Sequence, residues 1–237
     1  MNIFKHWLRD GINALATEVC RREFKSQEFQ GLNERSVEYR FVFEQITRYY
    51  PRHILDVGTG KSALPQLMRN CGPLVSAIDN IDDYWPKGMS NRHYHIIQDN
   101  IITTRLPSAE FDMVTCISVL EHIVEHSKAI SSMVALLKPG GHLVLTFPYN
   151  ERQYVSNIYA LAGSIGADVY PFSTQAFSRS EVESWCYENP VSVIQQEWWK
   201  FFDGEFWTLG NAIWPPEQTG PELSHQISCL VLQKASS

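Results

Sequence analysis

The chain has 237 residues, of which 44% are hydrophobic and 19% are charged, which fits one large domain or a domain with a cap. Its formal net charge of −6 argues against nucleic acid and anionic membranes as partners. No apolar run approaches the ~18 residues that cross a bilayer, and the N-terminus lacks the apolar region of a signal peptide. Five cysteines without a Cys-x-x-Cys pair predict a reducing compartment, the cytoplasm.

Residues 1–50 carry apolar side chains at three- and four-residue intervals with charged residues between them, which predicts helix. A second helix in this region is predicted to end at Tyr50, because Pro51 cannot continue it. An amphipathic helix can lie on a membrane surface, but few positive charges accompany this one, so we expect it to pack on the protein. The sequence therefore predicts an N-terminal helical cap over residues 1–50 and a main domain over residues 51–237.

A glycine-rich turn follows the first predicted strand. The apolar run before it ends in Asp56, and Gly58 and Gly60 come before a helix-start pattern in which Ser62 can act as the cap. Glycine accepts positive φ and lets a ligand approach the main chain, and the start of the helix presents unpaired N–H groups. This segment predicts a cradle for a nucleotide-like ligand.

Three classes of ligand compete for this cradle. A triphosphate loop requires glycine five residues before Gly60, where Leu55 stands. The dinucleotide fingerprint G-x-G-x-x-G/A matches formally through Gly58, Gly60 and Ala63. A carboxylate at the position of Asp56 would repel a pyrophosphate ~4 Å away by about 1 to 4 kcal/mol. It would attract a ligand with a sulfonium and an ammonium, such as S-adenosylmethionine.

Two further buried strands are predicted to end in acids. The second strand ends in Asp79, 19 residues after Gly60. This separation is close to the ~20 residues at which a Rossmann-like unit places an acid on the ribose hydroxyls. The third strand, over residues 94–98, ends in Asp99. An acid at a strand end also occurs without a ligand, but the register of these two acids with Asp56 favours one shared site.

Three motifs carry a resemblance to a known family. Asp56-Val-Gly58-Thr-Gly60-Lys-Ser62 resembles the first motif of the class I S-adenosylmethionine-dependent methyltransferases, (D/E)-x-G-x-G-x-G, with serine in place of the third glycine. Ser118-Val-Leu-Glu-His122 after the fourth predicted strand and Leu137-Lys-Pro-Gly-Gly141 before the fifth are also typical of this family. The resemblance extends over about residues 54–149, with a last strand predicted near residues 226–233.

The resemblance implies an α/β fold with a Rossmann-like, seven-stranded, mostly parallel sheet between helices, an antiparallel last strand and an N-terminal helical cap. It implies S-adenosyl-L-methionine as cofactor and S-adenosyl-L-homocysteine as product. In this family the acid after the second strand holds the ribose, and the acid after the third strand lies near the adenine. The residues that the resemblance places at the cofactor are Asp56, Gly58, Thr59, Gly60, Ser62, Asp79, Asn80, Asp99, Asn100, Ile101, Ser118, Val119 and His122.

His122 and Tyr149 are the candidate catalytic residues. His122 lies where the resemblance places the rim of the active site, so it can take a proton from a substrate hydroxyl. The segment His122-Ile-Val-Glu-His126 also spells H-x-x-E-H, an inverted zinc-peptidase motif with both histidines on one helical face. A peptidase would not need the glycine cradle and the strand-end acids, so we expect no metal.

Residues 150–221 lie outside the resemblance and are rich in aromatic residues. These residues are Tyr154, Tyr159, Tyr170, Phe172, Phe177, Trp198, Trp199, Phe201, Phe202, Phe206, Trp207 and Trp214. They form either a lid that stacks on a sugar or ring-bearing substrate or the plug of a short core, and both interpretations stay open.

The sequence therefore predicts methyl transfer from S-adenosylmethionine to an oxygen or nitrogen atom of a small-molecule acceptor, with sugars and secondary metabolites as candidate classes. Two alternatives remain. The first is an NAD(P)-dependent oxidoreductase, and the second is a non-catalytic scaffold subunit that binds the cofactor. The oligomeric state is open.

Overall fold

The computed structural model describes residues 3–29, 31, 33–81, 89–165 and 172–236. Contacts divide the chain into two units, Met1–Asn33 and Glu34–Ser237. The first unit contains helix α1 (Ile3–Lys25), whose apolar side chains from Trp7 to Phe24 are largely exposed. Within the described ranges, no helix has both the length and the apolar character required to cross a membrane.

The second unit is built on one sheet of eight strands. The strands are β1 (His53–Val57), β2 (Leu74–Asp79), β3 (Ile97–Gln98), β4 (Phe111–Ile117), β5 (Leu137–Pro148), β6 (Val191–Phe202), β7 (Ala212–Thr219) and β8 (Ile227–Lys234). Their order is β3-β2-β1-β4-β5-β8-β6-β7. Pairing is parallel from β3 to β5, whereas β8 is antiparallel to β5 and β6, and β7 is antiparallel to β6. The predicted Rossmann-like, mostly parallel sheet with an antiparallel last strand is confirmed.

The sheet has eight strands where seven were predicted, because β7 adds a strand at one edge. This strand contains Pro215 and Pro216, which cannot donate ladder hydrogen bonds and hide the strand pattern in the sequence. An edge strand tolerates proline because one side of it has no neighbour.

The third strand is shorter than predicted, with two residues in place of residues 94–98. Asn91 explains the difference, because its Oδ1 accepts hydrogen bonds from the N–H groups of His93 and Tyr94 at 2.8 and 2.9 Å. The chain therefore turns before it reaches the sheet edge, and pairing with β2 starts at Ile97.

Helices cover both faces of the sheet. In chain order they are α2 (Arg35–Tyr49), α3 (Leu64–Asn70), α4 (His126–Leu136) and α5 (Arg179–Glu188). The last of these begins with the predicted capping box, in which the side chains of Ser178 and Glu181 satisfy backbone N–H groups reciprocally.

Two clusters of buried side chains hold the helices on the sheet. On one face, α4 and Trp185 of α5 pack against apolar residues of β1, β4 and β5. On the other face, α2 and α3 pack against Ile54, Met113 and Val144. Because Phe41 of α2 is fully buried in this second cluster, α2 is part of the core of the second unit. The role of residues 1–50 as a functional cap stays a prediction.

Candidate functional site

A cavity of about 1030 Å³ lies where β1, β2 and β4 end. Small-molecule sites typically measure about 300–1,000 Å³, so this one has room for a cofactor and a second small molecule. The carboxyl ends of parallel strands meet at one edge of a sheet, so the residues that follow them converge. The predicted cofactor residues that line the cavity are Asp56, Gly58, Thr59, Gly60, Ser62, Asp79, Asn80, Asp99, Asn100, Ile101, Ser118, Val119 and His122.

The glycine turn after β1 needs glycine for two reasons. Gly58 and Gly60 have φ angles of 74° and 56°, which residues with a Cβ rarely adopt. A Cβ on Gly58 would also lie 2.3 Å from Cγ1 of Val119, so the turn after β1 touches the segment after β4. The bare main chain of the turn therefore forms part of the cavity wall.

Asp56 lies beneath this turn with both carboxylate oxygens hydrogen-bonded. Oγ1 of Thr59 donates to one oxygen and Oγ1 of Thr115 donates to the other, each at 2.7 Å. Burial raises the pKa of Asp56 to about 6, although both hydroxyl hydrogen bonds act to lower it. Asp56 therefore fixes the turn and, above this pH, places a buried negative charge beside the cavity.

Asp79 connects the end of β2 to the same turn. Its Oδ2 accepts a hydrogen bond from the N–H of Gly60 at 2.6 Å, and burial raises the pKa of its carboxyl. A carboxylate has about four lone-pair sites, so Asp79 can accept further hydrogen bonds from a pair of ligand hydroxyls in the cavity. This is the chemistry that recognises a ribose.

Asp99 and Asn100 build the wall of the cavity after β3. Oδ1 of Asp99 accepts from the N–H of Asn100 at 2.9 Å, and Oδ2 accepts from Oγ1 of Thr104 at 2.5 Å. Oδ1 of Asn100 accepts from the N–H of Ile102 and caps the 3₁₀ turn Ile101–Thr103. Both oxygens of Asp99 thus stabilise the loop, and each retains a lone pair for a donor group of a ligand.

Glu38 holds the end of β4, the end of β5 and α2 together, and the sequence did not reveal it. Its fully buried carboxylate accepts from Oγ of Ser118 at 2.5 Å and from Oγ1 of Thr146 at 2.7 Å. Its other oxygen accepts from Nη1 of Arg35 at 2.7 Å. The available signal was the Arg35/Glu38 pair three residues apart, but such pairs are also common on solvent-exposed helix faces.

Glu121 is a second acid of the site; it belongs to the Ser118–His122 motif but was not among the predicted site residues. Its side chain lines the cavity and is only 4% exposed. Among the described residues, its Oε2 has no hydrogen-bond partner. Burial raises the pKa of Glu121 to about 8, with a further increase from the negative charge of Glu38 and an opposing effect of Arg35. Glu121 therefore holds its proton more tightly than an exposed glutamate does.

His122 belongs to the 3₁₀ turn Leu120–His122 and lines the cavity. Its Nδ1 lies 3.1 Å from the carbonyl oxygen of Ser173. A carbonyl only accepts hydrogen bonds, so Nδ1 carries a proton and Nε2 of the neutral ring has an acceptor lone pair. Burial lowers the pKa of His122, which favours this neutral form. The ring can therefore accept a proton at Nε2.

The H-x-x-E-H motif is divided between two elements. His122 ends the 3₁₀ turn and His126 begins α4, so the two histidines do not share the helical face that their spacing predicted. Nδ1 of His126 accepts from Nε1 of Trp185 at 3.2 Å, and Glu125 pairs with Lys128. Within the part of the chain that the structure describes, no group of three or more His, Cys, Asp or Glu side chains is suited to a metal ion.

Tyr149 is not among the residues that line the cavity. Its hydroxyl donates to Oε2 of Glu151 at 3.0 Å, and its ring stacks on His225 with 5.6 Å between centroids. Burial raises the pKa of Tyr149 well above its ordinary value. The structure does not bring Tyr149 into the cavity wall, and its catalytic role stays a prediction.

The aromatic residues after β5 divide between the core and the cavity. Phe177, Phe201 and Phe206 are buried, whereas Tyr159, Phe172 and Trp207 line the cavity. Phe172 meets the ring of His122 edge-on, with 4.9 Å between centroids. The two interpretations of this segment therefore apply to different residues, and Tyr170 lies outside the described ranges.

Comparison with known proteins identifies relatives of this chain. A family model described as a methyltransferase domain matches residues 26–208, more than half of the chain. The ubiquinone biosynthesis O-methyltransferase of Coxiella burnetii (strain Dugway 5J108-111) is 29% identical over 135 residues, which are 54% of this chain and 56% of that protein. The match thus spans little more than half the length of this relative. The protein of the same name from Azotobacter vinelandii is 27% identical over 198 residues, covering 76% and 80% of the two chains.

A solved structure shares the fold. The 1,6-didemethyltoxoflavin-N1-methyltransferase of Burkholderia thailandensis, with bound 1,6-didemethyltoxoflavin and S-adenosylhomocysteine, matches with a TM-score of 0.57. The match covers 94% of this chain and 90% of the other at 12% identity. At this level of identity the similarity establishes the fold alone.

Gly58→Ala is expected to lower the free energy of unfolding by about 2–4 kcal/mol, because the added methyl group meets Val119 and the backbone is strained at positive φ. Gly163→Ala is the matched control, since Gly163 has a similar φ of 83° but nothing within 4 Å of an added Cβ. Urea denaturation measures both. Equal losses would contradict the close contact between the turn and Val119, whereas Val119→Ala should partly rescue Gly58→Ala.

Proposed function

We propose, from the premise that this chain belongs to the methyltransferase domain family, that it transfers a methyl group from S-adenosylmethionine to an oxygen or nitrogen atom of a small molecule. One observation carries the proposal. Asp56, Asp79 and Asp99, each at the end of a different parallel strand, line one cavity together with the glycine turn. Acids in this arrangement suit a ligand that combines positive charge with ribose hydroxyls.

The residues around the turn fit S-adenosylmethionine. Gly58 and Gly60 leave the main chain bare at the cavity wall, where an added Cβ on Gly58 would meet Val119. Asp79 would hold the ribose hydroxyls, and Asp99 would accept from the exocyclic amine of the adenine. Asp56 would supply negative charge beneath the turn. When bound, this cofactor supplies a methyl group on a positively charged sulfur atom that is a good leaving group.

His122 is the proposed proton acceptor for an acceptor molecule that reacts through a hydroxyl. The Ser173 carbonyl keeps the proton on Nδ1, so Nε2 would take the proton of an acceptor hydroxyl. The remaining contribution of the protein is to hold both molecules in a reactive arrangement and to exclude water.

A ring-bearing acceptor fits the aromatic part of the cavity wall. Tyr159, Phe172 and Trp207 offer ring faces and edges to a flat molecule. The two curated relatives are named as O-methyltransferases, and the solved neighbour is named as an N-methyltransferase that holds a small heterocycle. These names favour a small molecule as the acceptor.

The alternatives are less consistent with the site. A pyrophosphate of NAD at the glycine turn would meet the buried carboxylate of Asp56, and repulsion would oppose binding. A scaffold subunit would not require a neutral imidazole held by Ser173 at the cavity wall. We retain the cytoplasm as the predicted compartment, because all five cysteines are free thiols, as expected in reducing surroundings.

S-adenosylhomocysteine is expected to raise the melting temperature of the purified protein, whereas NAD is not. Asp79→Asn should weaken S-adenosylhomocysteine binding by about 10- to 100-fold, because the amide loses charge-assisted hydrogen bonds to the ribose. Glu217→Gln on β7, an exposed acid away from the cavity, is the control and should bind as the wild type does. Stabilisation by NAD and not by S-adenosylhomocysteine would reverse the assignment in favour of an oxidoreductase.

His122→Gln is expected to lower methyl transfer by about 10²- to 10⁴-fold while S-adenosylhomocysteine affinity stays within about twofold, because the amide cannot take a proton. The measurement follows label from methyl-labelled S-adenosylmethionine into small molecules of a cell extract, with mass spectrometry to identify the labelled product. Tight cofactor binding without label transfer to any small molecule by the wild-type protein would favour a scaffold.

A further inference from the structure

Helix α1 presents an apolar face to solvent. From Lys5 to Lys25, every residue except Glu18 is exposed. Trp7 and Leu15, two turns apart on one side of the helix, are 76% and 72% exposed. A helix in a protein gains most of its stability by packing an apolar face against another element. The exposed face of α1 therefore lacks the contacts that ordinarily stabilise such a helix.

This face has nearly the area of a small protein–protein interface. It is formed by Trp7, Leu8, Ile12, Leu15 and Val19. If a fully exposed large side chain presents about 200 Å², these side chains present roughly 600 Å² of apolar surface. The largest apolar patch of a typical monomer measures about 300–600 Å². A stable interface takes about 800 Å² from each partner with its polar rim included, so the face and its rim can hold a second chain.

A groove lies in the middle of this face, over Gly11. The groove has a volume of about 540 Å³ and is lined by Trp7, Leu8, Gly11, Ile12, Ala14 and Leu15. No described atom lies within 4 Å of the position that a Cβ of Gly11 would take. Glycine inside a helix weakens the helix relative to alanine, and close approach of another element is a reason to keep it there. Gly11 therefore marks the point where another element can approach the backbone of α1.

A second copy of α1 fits this groove, because one face supplies both the groove and the side chains that fill it. In a pair with two-fold symmetry, the same patch lies on both sides of the interface. If two α1 helices run antiparallel and cross at Gly11, Leu8 of one lies level with Ala14 of the other, and Trp7 lies level with Leu15. A large side chain then meets a small one next to the glycine, as close packing requires.

Arg22 determines the direction of the pair. It follows Gly11 by eleven residues, about three helical turns, so it lies on the same side of α1. Its Nε donates to Oε1 of Glu18 in the same helix at 3.2 Å. A parallel pair would bring the two Arg22 side chains together, and like charges in contact across an interface weaken it. An antiparallel pair places them at opposite ends.

The charges of α1 disfavour a membrane surface as the occupant of this face. A helix that lies on a membrane typically has a polar face rich in lysine and arginine. The basic residues of α1 alternate with Asp10, Glu18 and Glu23, and the whole chain has a net charge of −6. An anionic lipid surface would repel these acids, whereas a second copy of α1 leaves them in water.

We propose that α1 is a dimerisation helix that pairs with α1 of a second copy, antiparallel and with Gly11 at the crossing point. The interface buries the apolar face of both helices and leaves their charged sides in water. This inference is independent of the proposed function, because none of the residues that line the cavity belongs to α1.

Sedimentation equilibrium of the full chain tests the proposal. The wild type should approach twice the 27.2 kDa of one chain. We expect a dissociation constant of about 1–10 µM, because the interface is small. Gly11→Leu should raise this constant about 10-fold or more, because the new side chain fills the space that the second helix needs. Leucine favours helix more than glycine does, so this variant does not lose α1 through helix propensity.

Asn13→Leu is the matched control, since it adds the same side chain on the opposite side of α1 and should dimerise as the wild type does. Leu15→Asp removes apolar contact and adds charge, so it should stay monomeric at about 1–100 µM. Circular dichroism should show that both groove variants keep the folded second unit. Arg22→Leu should change the dissociation constant by less than about threefold, because an antiparallel pair keeps the two Arg22 side chains apart.

A wild-type chain that stays monomeric over the same range would overturn the proposal, whether α1 packs on its own second unit or binds vesicles of anionic lipid. A dimer that Gly11→Leu and Leu15→Asp leave unchanged would also overturn it, since that dimer would form through another surface. Tightening of about 10-fold or more in Arg22→Leu would show a parallel pair and contradict the antiparallel arrangement.

Discussion

Hydrogen bonds between the glycine turn and two buried acids hold the whole site in place. The N–H of Gly60 donates to Asp79 at 2.6 Å, and the hydroxyl of Thr59 donates to Asp56 at 2.7 Å. These bonds join the ends of β1 and β2 and keep the turn at positive φ, with its main chain bare towards the cavity. The segment after β4 packs against this turn through Val119. The same contact therefore helps to position Glu121 and His122, which follow Val119.

Burial gives the acids of the cavity their electrostatic character. The pKa of Asp56 is raised to about 6 and that of Glu121 to about 8, both chiefly by burial. In each case the folded-state pKa lies above the ordinary value, so the folded protein binds the proton more tightly than the unfolded chain. Stability is therefore greatest at low pH with respect to these two groups, and it decreases as pH rises from their ordinary pKa values through about 6 and about 8. A cationic ligand would offset this loss of stability because it stabilises the ionised carboxylates. Buried acids that destabilise the protein without a ligand can therefore stabilise the complex with one.

Local patterns in the sequence predicted residues that the structure brings together at one cavity. Asp56, Gly58 and Gly60 lie within one turn, and Asp79 follows at a spacing that a single strand–helix–strand unit fixes, so short-range geometry decides their positions. These residues line one cavity because the strands that carry them are parallel, so their carboxyl ends lie at the same edge of the sheet. Residues that reach the site from segments distant in the sequence could not be predicted. Glu38 reaches the site only because α2 packs across the ends of β4 and β5.

Other misses have similar physical causes. The strand β7 contains two consecutive prolines, and its pairing depends on a bulged neighbour rather than on its own pattern. Glu121 belongs to the Ser118–His122 motif, but a glutamate in a turn is ordinarily exposed, so its 4% exposure could not be predicted from the motif. Tyr149 follows β5, where the sequence predicted a catalytic role for it, and its hydroxyl donates to Glu151.

The affinity for S-adenosylmethionine as a function of pH tests most directly the claim that buried negative charge holds a cationic donor. Calorimetry between pH 5 and pH 8 should show wild-type binding tighten as pH rises through about 6, where Asp56 ionises. Asp56→Asn should bind more weakly at neutral pH and lose the part of this dependence that centres on about pH 6. Wild-type affinity that falls over the same range, or an Asp56→Asn variant that binds as tightly as the wild type at neutral pH, would contradict the account.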